Sequence, residues 1–183
     1  MTAPVPVPVT LEDRGPDGII LRGFPVRVVN ADLTETDCAE IAANLARCRE
    51  ARVTVPVVAY FERAAHRSPL SWPREQDEPK VGVVWSACAS RGVLMVDAQL
   101  YGRAAEFVRA ARAESWMLRT HVRRWPEGSE WRPGSRRSTK RVEVEGLALL
   151  ALGFGYPTRA NGFVPWRWST SAATWTDGAG EAR

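Results

Sequence analysis

The 183-residue chain is 45% hydrophobic and 25% charged, a composition typical of one globular domain with a sizeable core. Its mean hydropathy is -0.25, and it lacks an apolar run near the roughly 18 residues that a membrane-spanning helix needs. This argues against a transmembrane protein. The first residues carry alternating prolines and no basic region, which is typical of neither a signal peptide nor a transit helix. We therefore expect a cytoplasmic protein without membrane partners.

Cysteine and histidine usage argues against a metal site. The chain has three cysteines, Cys38, Cys48 and Cys88, with no C-x-x-C pair, and only two histidines. Zinc sites need four such ligands, or three in catalytic sites, at recognised spacing. We expect buried free thiols, no bound metal and no cofactor.

The net charge of +4 is concentrated in one segment. Residues 119–141 contain eight arginines and lysines against two glutamates, a local charge of +6, so the rest of the chain carries -2. Trp125 and Trp131 are interleaved with these cations. Such a segment is typical of a nucleic-acid-binding surface, where cations contact phosphates and indoles stack on bases. A solvated strand face has the same pattern.

Apolar spacing and turn residues predict the elements in chain order. The apolar repeat behind the Thr34–Asp37 capping pattern predicts a helix, and Ser90-Arg91-Gly92 separates two strand-like runs as in a hairpin. Pro56 lacks an N–H, which predicts an edge strand or a local break. The predicted elements are a strand over Gly18–Val29, a helix from about Thr34 to Arg49, a strand over Val53–Tyr60, a polar loop over Glu62–Pro79, a hairpin of Val81–Ala89 and Val93–Leu100, a helix over Gly102–Glu114, an extended segment over Trp116–Arg124, a loop over Trp125–Thr139 and a buried strand in Arg141–Phe154.

Strands outnumber helices in this order, and hairpins outnumber regular β-α-β units. The prediction is an α+β fold: a closed or strongly curled, mostly antiparallel β-barrel with about two helices packed outside. Residues 1–17 are interpreted as an extended Pro-rich arm outside the core, 18–157 as the barrel domain and 158–183 as a C-terminal tail with Trp166, Trp168 and Trp175.

Motifs of the common enzyme classes are absent from the sequence. It has no phosphate-binding G-x-x-x-x-G-K-[ST] loop, no G-x-S-x-G elbow, no H-E-x-x-H pair and no acidic pair for a divalent ion. His66, in the polar loop after the Val53–Tyr60 strand, is a candidate general base, although an isolated loop histidine is more often a surface residue.

The succession of segments resembles the prohead (capsid maturation) proteases of tailed phages. The resemblance runs from about Gly18 to Pro157: "VPVV" before His66, then "KVGVV", "GVLMVDAQL", "GRAAEFVRAA", a further strand and "EGLALLALGFGYP". That family is similar in fold to the herpesvirus assemblins. The resemblance implies a closed β-barrel with outer helices and a serine-centred triad that cleaves scaffold and shell proteins during head assembly.

Transferred to these positions, the resemblance makes His66 the general base. The family's nucleophilic serine lies on the strand after the second helix, where this chain reads ESWMLRTHV and has Arg119 at the aligned position. The hydroxyl candidates are Thr120, which faces the opposite side of a regular strand from Arg119, and Ser115, for which a capping or turn role is the alternative. Thr120 is placed ahead of Ser115.

The resemblance also suggests the remaining roles. Glu143 and Glu145 are candidates for the residue that orients His66, and their two-residue spacing puts both on one strand face. Arg119 and Arg123 are candidates for oxyanion or substrate contacts. The alternative for these charged side chains is a solvated face.

Three functions compete. The first is a prohead protease that cleaves phage shell and scaffold proteins in the host cytoplasm, in the assembling head. The second is a catalytically degraded, non-enzymatic head-assembly protein on the same fold, and the third is a nucleic-acid-binding domain. Assembly into a homo-oligomer stays open.

Overall fold

The computed structural model describes residues 9–28, 30–59, 80–90, 92–110, 116–131, 140–149, 151–155 and 173–177. Within these ranges ten strands and two α-helices follow one another. Neither helix is long and apolar enough to cross a bilayer. The elements are β1 Val9–Asp13, β2 Ile19–Val28, α1 Glu35–Glu50, β3 Val55–Ala59, β4 Lys80–Ser90, β5 Val93–Leu100, α2 Gly102–Ala110, β6 Met117–Thr120, β7 Val122–Trp131, β8 Val142–Leu149, β9 Leu152–Gly155 and β10 Ala173–Asp177.

Six of the strands close into a barrel. Their order is β2-β5-β4-β3-β9-β6, and β6 pairs back with β2. The predicted α+β barrel with two helices is confirmed. It is mixed rather than mostly antiparallel, since β3–β9 and β2–β6 are parallel and the other four pairings are antiparallel. The parallel pairings arise because β6 and β9 enter the barrel after helical or long connections instead of tight hairpins.

A short extension runs from the barrel. β1 pairs antiparallel with the first part of β2, and β10 pairs parallel with β1. Val9 and Leu11 are both 1% exposed and belong to the core. The interpretation of residues 1–17 as an arm outside the core is therefore wrong for β1. The backbone of residues 173–177 joins the same sheet, while Trp166 and Trp168 lie outside the described residues.

Bulges occur near the glycine and proline that the sequence singled out. The β2–β5 register shifts between Leu21 and Phe24, where Gly23 has a φ of 57° that favours glycine. Pro56 is not on an edge strand, since it pairs with Val83 of β4, but the expected local break lies beside it: the β3–β4 register shifts between Val57 and Val58. Pairing of β3 with β9 begins only at Val57. The missing N–H of Pro56 therefore costs no hydrogen bond to β9, because Pro56 lies before the first residue that pairs with that strand.

Helix α1 begins at the predicted capping box. The Thr34 hydroxyl accepts a hydrogen bond from the Asp37 N–H at 3.2 Å, and the Asp37 carboxylate accepts one from the Thr34 N–H at 2.9 Å. The helix packs on β8 and β4. It buries Cys38, Ile41 and Cys48 in the common core.

Two predictions for the second half of the chain are wrong. Trp125–Thr139 is not all loop, because β7 continues to Trp131 and pairs with β8; residues 132–139 lie outside the described part. The predicted Arg141–Phe154 strand is two strands, β8 in a separate two-stranded sheet and β9 in the barrel. One continuous apolar run therefore forms strands of two different sheets, and no difference in apolar spacing marks the boundary between them.

Candidate functional site

Thr120 lies at the end of β6 with its side chain in the core. It is 1% exposed and shares a strand face with Leu118, which is also 1% exposed. Its hydroxyl lies 2.7 Å from the Ala151 carbonyl oxygen and 3.0 Å from that of His121, so its single proton is donated to main-chain acceptors. A hydroxyl used in this way holds β6 to the segment before β9 and is closed to substrate.

Unlike Thr120, the nearby arginines Arg119 and Arg123 are not buried in the core. Arg119, half-buried, lies on the opposite face of β6, as the alternation predicts. Arg123 is exposed on β7, and its guanidinium lies 4.6 Å from the centre of the Trp125 ring. Stacking on an indole is a stable position for an arginine at a surface.

Glu143 and Glu145 share the exposed face of β8, as predicted. Val142 and Val144, between and beside them, are buried. Glu143 is in register with Glu130, while the Glu145 carboxylate lies 3.9 Å from the guanidinium of Arg47 on α1. Leu149 of β8 is in register with Val122, two residues after Thr120. Glu145 stands four residues before Leu149, which is about 13 Å of extended chain. The structure therefore does not bring these carboxylates together with Thr120.

His66 and Ser115 lie outside the described residues; the nearest described positions are Ala59, seven residues before His66, and Trp116, directly after Ser115. Phe154 of β9 is in register with Ala59, the last residue of β3, and with Leu118 of β6. The end of β3 and the start of β6 therefore meet at one end of the barrel. The chain leaves β3 seven residues before His66 and enters β6 just after Ser115.

A cluster of three aromatic side chains fills the barrel core beside this end. The Trp116 ring stacks on Phe24 with ring centres 4.8 Å apart, and it contacts Phe154 at 5.3 Å. All three are at most 2% exposed. Packing of this kind gives a rigid start to β6 and holds the residues near the barrel end in one arrangement.

Sequence reasoning missed the role of Asp97 on β5. Its carboxylate accepts hydrogen bonds from the Gly23 N–H and the Ser86 hydroxyl, both at 2.9 Å. The registers of β2 and β4 both shift beside it. Asp97 therefore satisfies the main-chain N–H of Gly23 at the β2 bulge and binds the Ser86 side chain beside the β4 bulge. A lone aspartate within an apolar strand run is the signal that marks such a position.

Sequence reasoning also missed Asn44 of α1, which is 3% exposed. Its side-chain N–H group donates to the carbonyls of Glu145 and Leu147 at 2.8 and 2.9 Å, and its oxygen accepts from the Glu145 N–H at 3.3 Å. Glu40, one turn earlier, accepts from the Leu147 N–H at 2.9 Å. These contacts fasten α1 to β8, so their role is structural.

Two cations of the predicted basic surface are paired with carboxylates. Arg124 contacts Asp37 at 3.1 Å and Glu40 at 3.2 Å, both from α1. Arg141 contacts Glu130 at 2.6 Å across the hairpin. A surface that binds phosphates needs cations free of such partners, so these two arginines do not support nucleic-acid binding.

The two buried thiols and the acids give no sign of a reactive or metal-binding centre in the described ranges. Cys88 on β4 is exposed, so the expectation of buried free thiols is wrong for this residue. Burial raises the pKa of the Cys48 thiol to about 11, and burial is also the largest cause that raises the pKa of Cys38. Such thiols stay protonated and unreactive at neutral pH. Within the same ranges no three His, Cys, Asp or Glu side chains are grouped to hold a metal ion.

Comparison with known proteins adds no relative: no family model matches the chain, and no curated protein or solved structure matches it significantly.

Proposed function

We propose that this protein is a prohead-protease-like protein that cleaves scaffold or shell proteins while a phage head assembles in the host cytoplasm. The observation that carries the proposal is the meeting of β3, β9 and β6 at one end of a closed barrel. Ala59, the last described residue before the part of the chain with His66, and Trp116, which follows Ser115 in the sequence, both lie at this end. A base and a nucleophile for peptide hydrolysis must lie within hydrogen-bond reach of each other, and this chain path supports such an arrangement.

The burial of Thr120 favours Ser115 as the nucleophile. Thr120 is buried, and its proton is donated to the Ala151 carbonyl. Ser115 precedes the rigid Trp116 at the barrel end from which the His66 segment departs. In the proposed reaction His66 takes the proton of the Ser115 hydroxyl as the oxygen attacks the scissile carbonyl carbon. The imidazolium then gives that proton to the leaving amine, and water hydrolyses the ester.

The roles proposed for the charged residues have less support. Glu143 and Glu145 face α1 and solvent on β8, so their support as the group that orients His66 is reduced. Arg119 of β6 is preferred over Arg123 for contact with substrate or the oxyanion, because Arg123 stacks on Trp125 instead.

A non-enzymatic head-assembly role is the second candidate, and the position of Thr120 is the observation that favours it. If the only hydroxyl on β6 serves the fold, the strand that carries the family's nucleophile has none available for catalysis. This protein would then bind shell or scaffold proteins through the same barrel without cleaving them.

Reaction with a fluorophosphonate probe distinguishes the two candidates. We expect wild-type protein to be labelled once, at Ser115, and Ser115→Ala to be unlabelled. Ser129→Ala, a serine on β7 away from the barrel end, is the matched control and should label as wild type does. Folded wild-type protein that never labels would favour the non-enzymatic role, and labelling that survives Ser115→Ala would assign the nucleophile elsewhere.

A further inference from the structure

Asp97 stands opposite a bulge in each of the two strands that flank β5. Both β2 and β4 pair regularly with β5 from Leu100 to Ala98. At the next residue, Asp97, each register shifts, so two residues of β2 and two of β4 stand opposite one residue of β5. One carboxylate oxygen accepts a hydrogen bond from the Gly23 N–H and the other from the Ser86 hydroxyl, both at 2.9 Å. A single side chain therefore bonds to both bulged strands.

The bulge in β2 determines that Phe24 faces the core. Leu21, before the bulge, and Phe24, after it, are 0% and 1% exposed and belong to the same core. Residues three apart in a regular strand point to opposite faces. The extra residue in the bulge compensates for this odd spacing, so both side chains point inward. A β2 strand without the bulge would turn Phe24 and the residues after it to the other face.

Phe24 is in turn the residue on which Trp116 stacks. β2 and β6 pair in parallel, with Val26 in register with Leu118. Phe24 and Trp116 each lie two residues before these partners, so their side chains lie on the same face of neighbouring segments. The two rings stack with centres 4.8 Å apart and an angle of 13° between their planes. The face that Phe24 occupies therefore sets the orientation of Trp116, which directly precedes β6.

We propose that Asp97 is a positioning residue for the start of β6. Its carboxylate holds the β2 bulge, the bulge turns Phe24 into the core, and the Phe24 ring fixes Trp116. Bulges beside active sites re-aim side chains in this way. The further step, that Asp97 thereby places Ser115 for reaction, rests on the proposed function, whereas the effect of Asp97 on Trp116 does not.

The first test follows the indole N–H signal of Trp116 by NMR, assigned by its loss in Trp116→Phe. Phe24→Leu removes the stacked ring and gives the direction in which the signal moves when the stack is lost. Asp97→Ala removes both hydrogen bonds to the bulges and should shift the signal in that same direction. Asp97→Asn should leave the signal in place, because its amide can accept from the Gly23 N–H and donate to the Ser86 hydroxyl.

A matched pair of glycine variants tests the same point if Asp97→Ala does not fold. Gly23, in the β2 bulge, and Gly15, outside it, both have a φ of 57° and open space around a new Cβ. Valine is strained at this φ at either position. Gly23→Val should shift the Trp116 signal, and Gly15→Val should not. The proposal is overturned if the signal is unmoved in folded Asp97→Ala, or if the two valine variants move it equally.

The second test measures the rate at which the fluorophosphonate labels Ser115. Asp97→Ala should be labelled about 10- to 100-fold more slowly than wild type, because a small displacement of a reacting group has effects of this size. Asp97→Asn should restore the wild-type rate. Asn44→Ala, which loses contacts between α1 and β8 instead, controls for lower stability and should be labelled as wild type is.

The two tests separate failure of this proposal from failure of the proposed function. Wild-type protein that is never labelled would remove the proposed function and the step to Ser115, while the Trp116 signal would still decide whether Asp97 sets the start of β6. A labelled wild type with an unchanged rate in Asp97→Ala, or with an equal loss of rate in Asn44→Ala, would overturn the positioning role alone.

Discussion

Replacing Thr120 with valine separates the two roles that this hydroxyl could have. Valine keeps the shape of the side chain and removes only the group that lies 2.7 Å from the Ala151 carbonyl oxygen. If the hydroxyl holds β6 in place, the variant loses stability and keeps its activity. If the hydroxyl is the nucleophile, the variant keeps its fold and loses activity.

The expected loss in the free energy of unfolding follows from the hydrogen bond that the substitution removes. Thr120 is 1% exposed, so the Ala151 carbonyl cannot gain a water molecule from bulk solvent without local opening. Removing one partner of a buried hydrogen bond costs about 1–2 kcal/mol. With a urea dependence of about 2 kcal/mol per M for a domain of this size, the midpoint of unfolding should fall by about 0.5–1 M.

Urea unfolding followed by tryptophan fluorescence measures this shift, and Thr120→Ser is the control. Serine keeps the donor and loses one buried methyl group, so it should be destabilised by about 1 kcal/mol and should also keep its activity. A Thr120→Val variant that unfolds at the wild-type urea concentration and no longer reacts with the fluorophosphonate would refute the structural role.

Three further changes test contacts between α1 and its surroundings. Asn44→Ala leaves main-chain groups of β8 without partners and should cost about 2–4 kcal/mol in urea unfolding. Gly146→Ala should cost more than Gly128→Ala: both glycines have positive φ, but only at Gly146 does an α1 carboxylate lie 2.6 Å from the new Cβ. Thr34→Ala should cost about 1 kcal/mol through the lost cap. Hydrogen bonds from Thr34 lower the pKa of Asp37, so the stability they give is present above the usual aspartate pKa and is lost as the pH falls through the lowered value. Thr34→Ala keeps the larger, main-chain bond and removes only the one from the hydroxyl, so the acid loss of stability should be partly reduced, and equal pH profiles for the two proteins would contradict this.

Local signals predicted the parts of the fold that local chemistry determines. The capping box gave the start of α1, and Ser90-Arg91-Gly92 gave the β4–β5 hairpin, because both are set by residues close in sequence. Barrel closure followed from the predominance of strands. The parallel pairing of β2 with β6 was not predictable, since it joins segments about 90 residues apart and no residue pattern records such a partner.

The candidate site was predictable only in part. Alternation along β6 placed Arg119 and Thr120 on opposite faces, and alternation along β8 placed Glu143 and Glu145 on one face. The alternation of residues along a strand does not show which of its faces packs against the rest of the protein. The burial of Thr120 and the contact of Glu145 with α1 are therefore visible only in the structure. The bulge of β7 between Trp125 and Ser129 lies inside a segment that composition alone indicated as loop.

The central claim is that the barrel carries a peptidase site with His66 as base. The most direct measurement is co-expression with the major shell protein of the same genome, followed by mass determination of the shell product. We expect a shortened shell protein with the wild-type chain and Thr120→Val, and full-length shell protein with His66→Ala and with Ser115→Ala. Shell protein that stays full length with the folded wild-type chain, or that is shortened equally by His66→Ala, would contradict the account.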